Sequence, residues 1–397
     1  MADFFKNLND NDFFSNKLTH LYFQGIVDDK SVDKLFNDVI KANKTIEENG
    51  IIIKPKPILI HINSSGGSVY DGMRFLSIFK ISSVPIATII DNYSFSAATF
   101  LSIHSSYRLM TKNSFCLIHN YSITLTEKLN REQLFSNIKK FETYFNNIIS
   151  MYLDKTKLNK EELNELLQHD LYLNYKYCLE KGIVDRIIDY NHELPNTNYD
   201  IYDIIKDDKT INLHLLPCSN DNSNLDTIII KNNENPSNVY LIYPIYNNCD
   251  INTSSKSYIN TNEINIKSSF DEMNDYDIFH TFNLTNKIKA INGTKIAIID
   301  VPISIDNILP LLYTNKIYMY NHSFIICNLL YFKNPIKNIL MSDTIKNYKT
   351  LFNQIKTILK KKTKMSINEI SDINKKYIII NPNDAIKLGL CHEIIYS

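Results

Sequence analysis

Three of the chain's eight glycines fall within seven residues: Gly66, Gly67 and Gly72, in HINSSGGSVYDG, directly after an apolar run. Adjacent glycines reach backbone angles closed to other residues and let a ligand approach main-chain amides. Such amides stabilise the oxyanion formed in acyl transfer. A tight strand-to-helix turn explains the same residues equally well. Farther on, DNYSFSAATFLSI at 91–103 sets Ser96 before two small residues, Ala97 and Ala98. A serine where a strand turns into a helix lies near the positive end of the helix dipole, and small neighbours leave room for a carbonyl. The same serine would serve as an N-cap, a role for which Ser94 competes. His119 closes the apolar run 115–118, and Asp170 precedes LYL at 171–173. Nucleophile, base and orienting carboxylate are the chemistry open to these three residue types. His119 is one of ten histidines and Asp170 could equally cap a turn, so coexistence alone proves nothing.

The elements that must position these groups are legible as periodicity. Residues 17–25, 57–62, 84–90 and 115–118 are short apolar runs bounded by turn formers, the pattern of buried strands. Between them, 30–42 sets Val32, Leu35, Phe36 and Val39 on one helical face, and 70–81 reads as a second helix. Leu171–Leu173 and Ile183–Ile188 supply two more strands. The alternation predicts an α/β fold with largely parallel strands. A long amphipathic helix is expected over 131–152, with Leu134, Ile138, Phe141, Phe145, Ile148 and Tyr152 at helical spacing. At 191–235 the pattern dissolves into HELPNTNYD, SNDNSN and KNNENPSN, which reads as a linker between a domain at 1–190 and another at 236–397.

Composition narrows the classes. Lys plus Arg and Asp plus Glu both total 43 in 397 residues, so no net charge favours nucleic acid or an anionic membrane as partner. The run Lys360-Lys361-Lys362 with Lys364 reads as a solvated helix end. Six dispersed cysteines form no C-x-x-C pair, so neither a metal site nor a disulfide framework is expected, and reduced thiols suit a cytosol-like compartment. The N-terminus lacks the apolar core of a signal peptide, and no segment approaches ~18 consecutive apolar residues. The expectation is a soluble, cytoplasmic protein without a cofactor.

In order and spacing, these motifs resemble the proteolytic subunit of Clp protease, the ClpP family of serine peptidases with a crotonase-like fold, over residues 17–190. INSSGGSVYDG is similar to that family's strand and Gly-Gly-Ser loop, SFSAATFL to its nucleophile turn, and NSFCLIHN to its histidine strand. DLYLNYKYCLEKGIVDRI resembles the segment that carries its aspartate. The resemblance implies repeated β-β-α units with a protruding handle helix at 131–152. It implies Ser96 as nucleophile, His119 as base and Asp170 as orienting carboxylate, with Asp185 as the competitor for that last role. It further implies an oxyanion hole from the amides of Gly67 and Ala97, with Gly66 and Ser68 lining the substrate site. The implied activity is endopeptidase cleavage of unfolded polypeptide or peptide by a homo- or hetero-oligomeric ring. No G-x-x-x-x-G-K-[ST] loop is present, so the ATP-driven AAA+ unfoldase is expected to be another protein. The alternative is an inactive, structural or regulatory ring member. An acyl-CoA hydratase of the wider superfold would lack this serine and histidine. The tandem signal peptide peptidase A group would split a Ser–Lys dyad between its repeats.

The second half echoes the first. YFNNIISMYLDKTKLNKEEL at 144–163 matches LFNQIKTILKKKTKMSINEI at 351–370, and KGIVDRIIDY at 181–190 matches LGLCHEIIYS at 388–397, both shifted by 207. RLMTKNSFCLIHN at 108–120 matches IYMYNHSFIICNL at 317–329, shifted by 209, and IHINSS at 60–65 matches INIKSS at 264–269, shifted by 204. The offsets set Ile305 at the position of Ser96, Asn328 at His119, Tyr377 at Asp170, and Phe270 and Asp271 at the paired glycines. Residues 236–397 are therefore expected to be a second copy without the catalytic residues.

Overall fold

The run THLYFQGIV forms the first strand, β1 (Thr19–Val27), and Asp28 ends it by capping helix α1 (Asp29–Ala42). The Asp28 carboxylate accepts from the Ser31 amide at 2.7 Å, while Ser31 Oγ accepts from the Asp28 amide at 3.0 Å. This reciprocal cap satisfies two otherwise orphaned donors, and Val32, Leu35 and Val39 then face inward at helical spacing. The computed structural model describes residues 2–48, 51–120, 142, 145–189, 227–231, 239–244, 275–290, 294–299, 302–327, 341–373 and 378–396. The chain divides into two compact units: Met1–Tyr190 with Asn338–Thr350, and Asn191–Lys337 with Leu351–Ser397.

In the first unit, β1 is followed by β2 (Ile58–Gly67), α2 (Val69–Ile81), β3 (Ile86–Phe95), α3 (Thr99–His104), β4 (Tyr107–Thr111) and β5 (Phe115–Leu117). Then come α4 (Lys160–Leu167), β6 (Leu173–Asn174), α5 (Tyr175–Glu180) and β7 (Arg186–Ile188). One seven-stranded sheet runs β1-β2-β3-β4-β7, all parallel, and the second half of β3 also pairs with β5, which pairs with β6. Ile58, Ile60, Ile62 and Ile90 pack on one face against Phe75 and Ile78 of α2. Leu59, Ala87, Ile89 and Leu109 pack on the other against Phe5, Phe13 and Leu18 of the N-terminal segment. A parallel strand covered on both faces has no polar side, which is why these segments read as continuous apolar runs.

The strands extend past the predicted ends. β2 and β3 reach Gly67 and Phe95 instead of stopping near residues 62 and 90, because their C-terminal halves form a second set of ladders. The register shifts between Gln24 and Ile26 and between Ile62 and Ser64, and beyond the shift Tyr93–Phe95 pair with Phe115–Leu117. Strand β4 was not anticipated: its second residue, Arg108, interrupts the apolar run. Of the expected helix at 131–152, residues 121–141, 143 and 144 lie outside the described residues; 145–155 are helical.

In the second unit, β8 (Thr227–Lys231) pairs antiparallel with β9 (Val239–Pro244). From there β9, β10 (Thr294–Ile299), β12 (Lys316–Tyr320) and β15 (Glu393–Ile395) run parallel. A smaller sheet joins β11 (Ile303–Ser304), β13 (Ile325–Cys327) and β14 (Ile378–Ile380). Helix α6 (Asp275–Ala290) precedes β10, and α7 (Ile305–Leu311) follows β11. The place beside β10 belongs to 239–244; residues 264–271, the expected echo of the glycine strand, lie outside the described residues, as do Asn328, Tyr377 and the linker apart from 227–231. No helix among the described residues is long and apolar enough to cross a membrane.

Candidate active site

The C-terminal ends of β3 and β5 lie side by side, since Tyr93, Ser94 and Phe95 pair in parallel with Phe115, Cys116 and Leu117. Ser96 and His119 each follow these strand ends. β5 in turn pairs antiparallel with β6, Cys116 opposite Leu173, and that register carried three residues further sets His119 against Asp170. The side chains meet there: His119 Nδ1 donates to Asp170 Oδ1. Fixing the proton on Nδ1 leaves Nε2 as the basic nitrogen.

Ser96 has φ +53°, the one left-handed non-glycine among the described residues. Such a backbone holds the side chain out of line with both the strand behind it and the helix ahead. Thr99 braces the turn, its Oγ1 donating to the Ser96 carbonyl at 2.5 Å and accepting from the hydroxyl of buried Tyr152. Burial lifts the Tyr152 phenol far above its ordinary range, so it remains a donor. Ser94 is buried and points to Ser102 Oγ at 3.4 Å, which removes it from competition for the nucleophile role.

The paired glycines pack directly against this turn. Gly66 has φ +87°, and a Cβ there would lie 2.5 Å from Phe95 O, 2.7 Å from Ser96 Cβ and 3.1 Å from Ala97 N. Gly67, at φ +150°, abuts β1, where a Cβ would lie 2.4 Å from Val27 O. Both positions therefore exclude any side chain, through torsion and through contact. Ala97 is buried beside them. Ser68 caps α2, its Oγ accepting from the Asp71 amide at 3.2 Å, so its hydroxyl is engaged in the fold.

Asp185 is occupied elsewhere. Arg108 donates to its Oδ2 through Nε at 2.9 Å and to its Oδ1 through Nη2 at 2.6 Å, a bidentate pair that pins β7 to β4. Cys178 is buried and its thiol is pushed far up, by burial first and then by Cys116. On the sheet face of Leu59 and Ile89, His61 bridges Asp91 at 2.5 Å and His20 at 2.9 Å, a row that sequence spacing did not reveal because its members come from three strands. Among the described residues, no three His, Cys, Asp or Glu side chains converge as metal ligands would.

The family model for Clp protease matches residues 22–191. Over these residues the chain is similar to the Clp protease family. The Clp protease domain is 27% identical over 144 residues to the ATP-dependent Clp protease proteolytic subunit 1 of Protochlamydia amoebophila (strain UWE25), spanning 36% of this chain and 70% of that protein. It is 25% identical over 183 residues to the subunit of the same name in Chlamydia abortus (strain DSM 27085 / S26/3), spanning 44% of this chain and 93% of the relative. A solved ClpP1 mutant from Listeria monocytogenes aligns at 16% identity and a TM-score of 0.37, over 45% of this chain and 93% of its own.

Proposed function

We propose that the first unit is a serine endopeptidase of the Clp protease kind, with Ser96 as nucleophile, His119 as general base and Asp170 as the carboxylate that orients it. The observation that carries this reading is the His119–Asp170 hydrogen bond at the strand ends that also present Ser96. In the reaction, His119 Nε2 takes the Ser96 proton as Oγ attacks the peptide carbonyl, then gives it to the leaving amine as the C–N bond breaks. Water repeats the sequence to release the acyl group. Asp170 stabilises the imidazolium, and the amides of Gly67 and Ala97 face the oxyanion. Gly66, by leaving no side chain against Ser96, keeps the substrate carbonyl's path open.

Unfolded polypeptide is the substrate class, delivered by an AAA+ unfoldase to an oligomeric ring; the relatives' names, ATP-dependent proteolytic subunits, support this. The second unit is a copy of the first that has lost catalysis. This is supported by strand order: 107–111 pairs in parallel with 87–90 and with 186–188, as 316–320 pairs in parallel with 296–299 and with 393–395, at offsets of 209 and 207. Ile305 replaces the nucleophile and has no left-handed backbone.

A fluorophosphonate probe tests the reading. The full-length protein is expected to be labelled at Ser96, with labelling slowed by several orders of magnitude in His119→Ala. A correctly assembled oligomer that takes no label would overturn the peptidase and leave an inert ring subunit.

A further inference from the structure

The loop that carries Asp170 is held by residues from a distant part of the sequence. Helix α8 (Met341–Lys362) begins in the segment Asn338–Thr350, which belongs to the first unit. Asp343 and Asn347, one helical turn apart on the same face, are 1% and 5% exposed. The Asn347 amide nitrogen donates to the Asp170 carbonyl at 2.7 Å, and its oxygen accepts from the Tyr172 amide at 2.8 Å. Those two backbone groups flank Leu171 in the way that one residue of a parallel strand addresses its neighbour. The side chain thus addresses the backbone of 170–172 as a residue of a neighbouring strand would. One turn earlier, the Asp343 carboxylate accepts from His169 Nδ1 at 3.1 Å and from the Asp170 amide at 3.4 Å.

These four contacts surround the residue whose carboxylate accepts from His119, and Tyr172 carries the restraint onward by stacking on Phe95, the neighbour of Ser96, at 5.4 Å between ring centroids. We infer that Asp343 and Asn347 are positioning residues for the catalytic machinery: they fix the backbone of 169–172 so that Asp170 meets the imidazole. This rests on the serine-peptidase reading of the site. Neither residue touches the reacting atoms. Their effect follows from the steep loss of rate when a catalytic group moves by about an ångström, up to roughly 100-fold.

The test uses the full chain with Asn347→Leu, which keeps the branched heavy-atom shape but removes both hydrogen bonds, and Asn347→Ala. Three quantities are read: the rate constant for fluorophosphonate labelling of Ser96, kcat and KM on a fluorogenic peptide, and amide hydrogen exchange of the peptide covering 168–174. Positioning predicts that both variants label about 10- to 100-fold more slowly, with kcat reduced by the same factor, KM unchanged and exchange accelerated at 170–172. Asp343→Asn, which keeps an acceptor oxygen, is expected to retain more activity than Asp343→Ala. If the wild type labels and Asn347→Leu labels at the same rate, this inference fails while the peptidase stands. If Asn347→Leu is slow only in proportion to a lost folded fraction, read from its melting curve, the role is structural and the inference again fails. A wild type that takes no label overturns both.

Discussion

Ser96 carries a conformational cost that its proposed role as nucleophile accounts for. Left-handed backbone is disfavoured by about 1–2 kcal/mol for a residue with a Cβ, and Ser96 occupies it among neighbours that hold it there: Gly66 behind, Thr99 bonded to its carbonyl. Glycine at this position removes the strain, while alanine removes only the hydroxyl. Ser96→Gly is therefore expected to unfold at higher denaturant than Ser96→Ala, by about 1 kcal/mol after the larger chain entropy of glycine is deducted. Both variants should refuse the fluorophosphonate. Equal midpoints would show the turn to be relaxed. At this scale the sequence singled out residues that the fold brings together, since the paired glycines pack against the Ser96 turn and its strand pairs with the one that leads to His119. It favoured Asp170 over Asp185 only through the family resemblance, because the physical reason, Arg108 lying beside Asp185, exists only in the folded chain. Nor could it find Asn347, whose partners are more than 170 positions away.

Elements were legible where local chemistry decides them. The first helix was expected over 30–42 and spans Asp29–Ala42, because one capping residue and one apolar stripe fix it. The strands were cut short because a change of ladder partner leaves no trace in local periodicity. Helix α3, which opens just after Ser96, shows what tertiary burial adds. His104 at its end donates through Nδ1 to the Phe100 carbonyl at 3.0 Å. Burial, with Lys155 and Arg108 near enough to add to it, holds this imidazole down to about 4. The unfolded chain takes up that proton near 6.5, so between these values the unfolded state binds more protons and stability falls as pH falls. The contribution is fully present above the unfolded value and lost on acidification. Comparing melting temperatures at pH 7, 5.5 and 4.5, the wild type should lose more than His104→Gln. Parallel curves for the two proteins would mean that His104 is solvated and does not contribute.

At the scale of the whole molecule, the repeat offers a way to ask whether the second unit keeps a core of its own. Four echoes in the sequence shared nearly one offset; for two of them, corresponding strands take corresponding places in their sheets, and for the glycine strand the described residues put 239–244 in the sheet instead. On the proposed reading, the second unit has been released from catalysis and has lost the glycine loop while retaining buried strands, because packing and chemistry are separate constraints. It also tolerates an oddity at its centre. Lys295, the second residue of β10, is 1% exposed, and its Nζ donates to the Ile288 carbonyl at 3.2 Å. Burial, with Lys362 adding repulsion, lowers its amine to about 8. An unfolded lysine holds its proton to about 10.4, so between these values the unfolded state binds more protons and stability rises with pH. Calorimetry at pH 7.5, 8.5 and 9.5 should show a transition that moves upward relative to the same transition in Lys295→Met, in which the amine is gone. The gap between the two proteins should narrow as the wild-type lysine becomes neutral. A gap that stays constant across this range would mean that Lys295 reaches water in the folded unit, and that the second core is looser than its buried strands indicate.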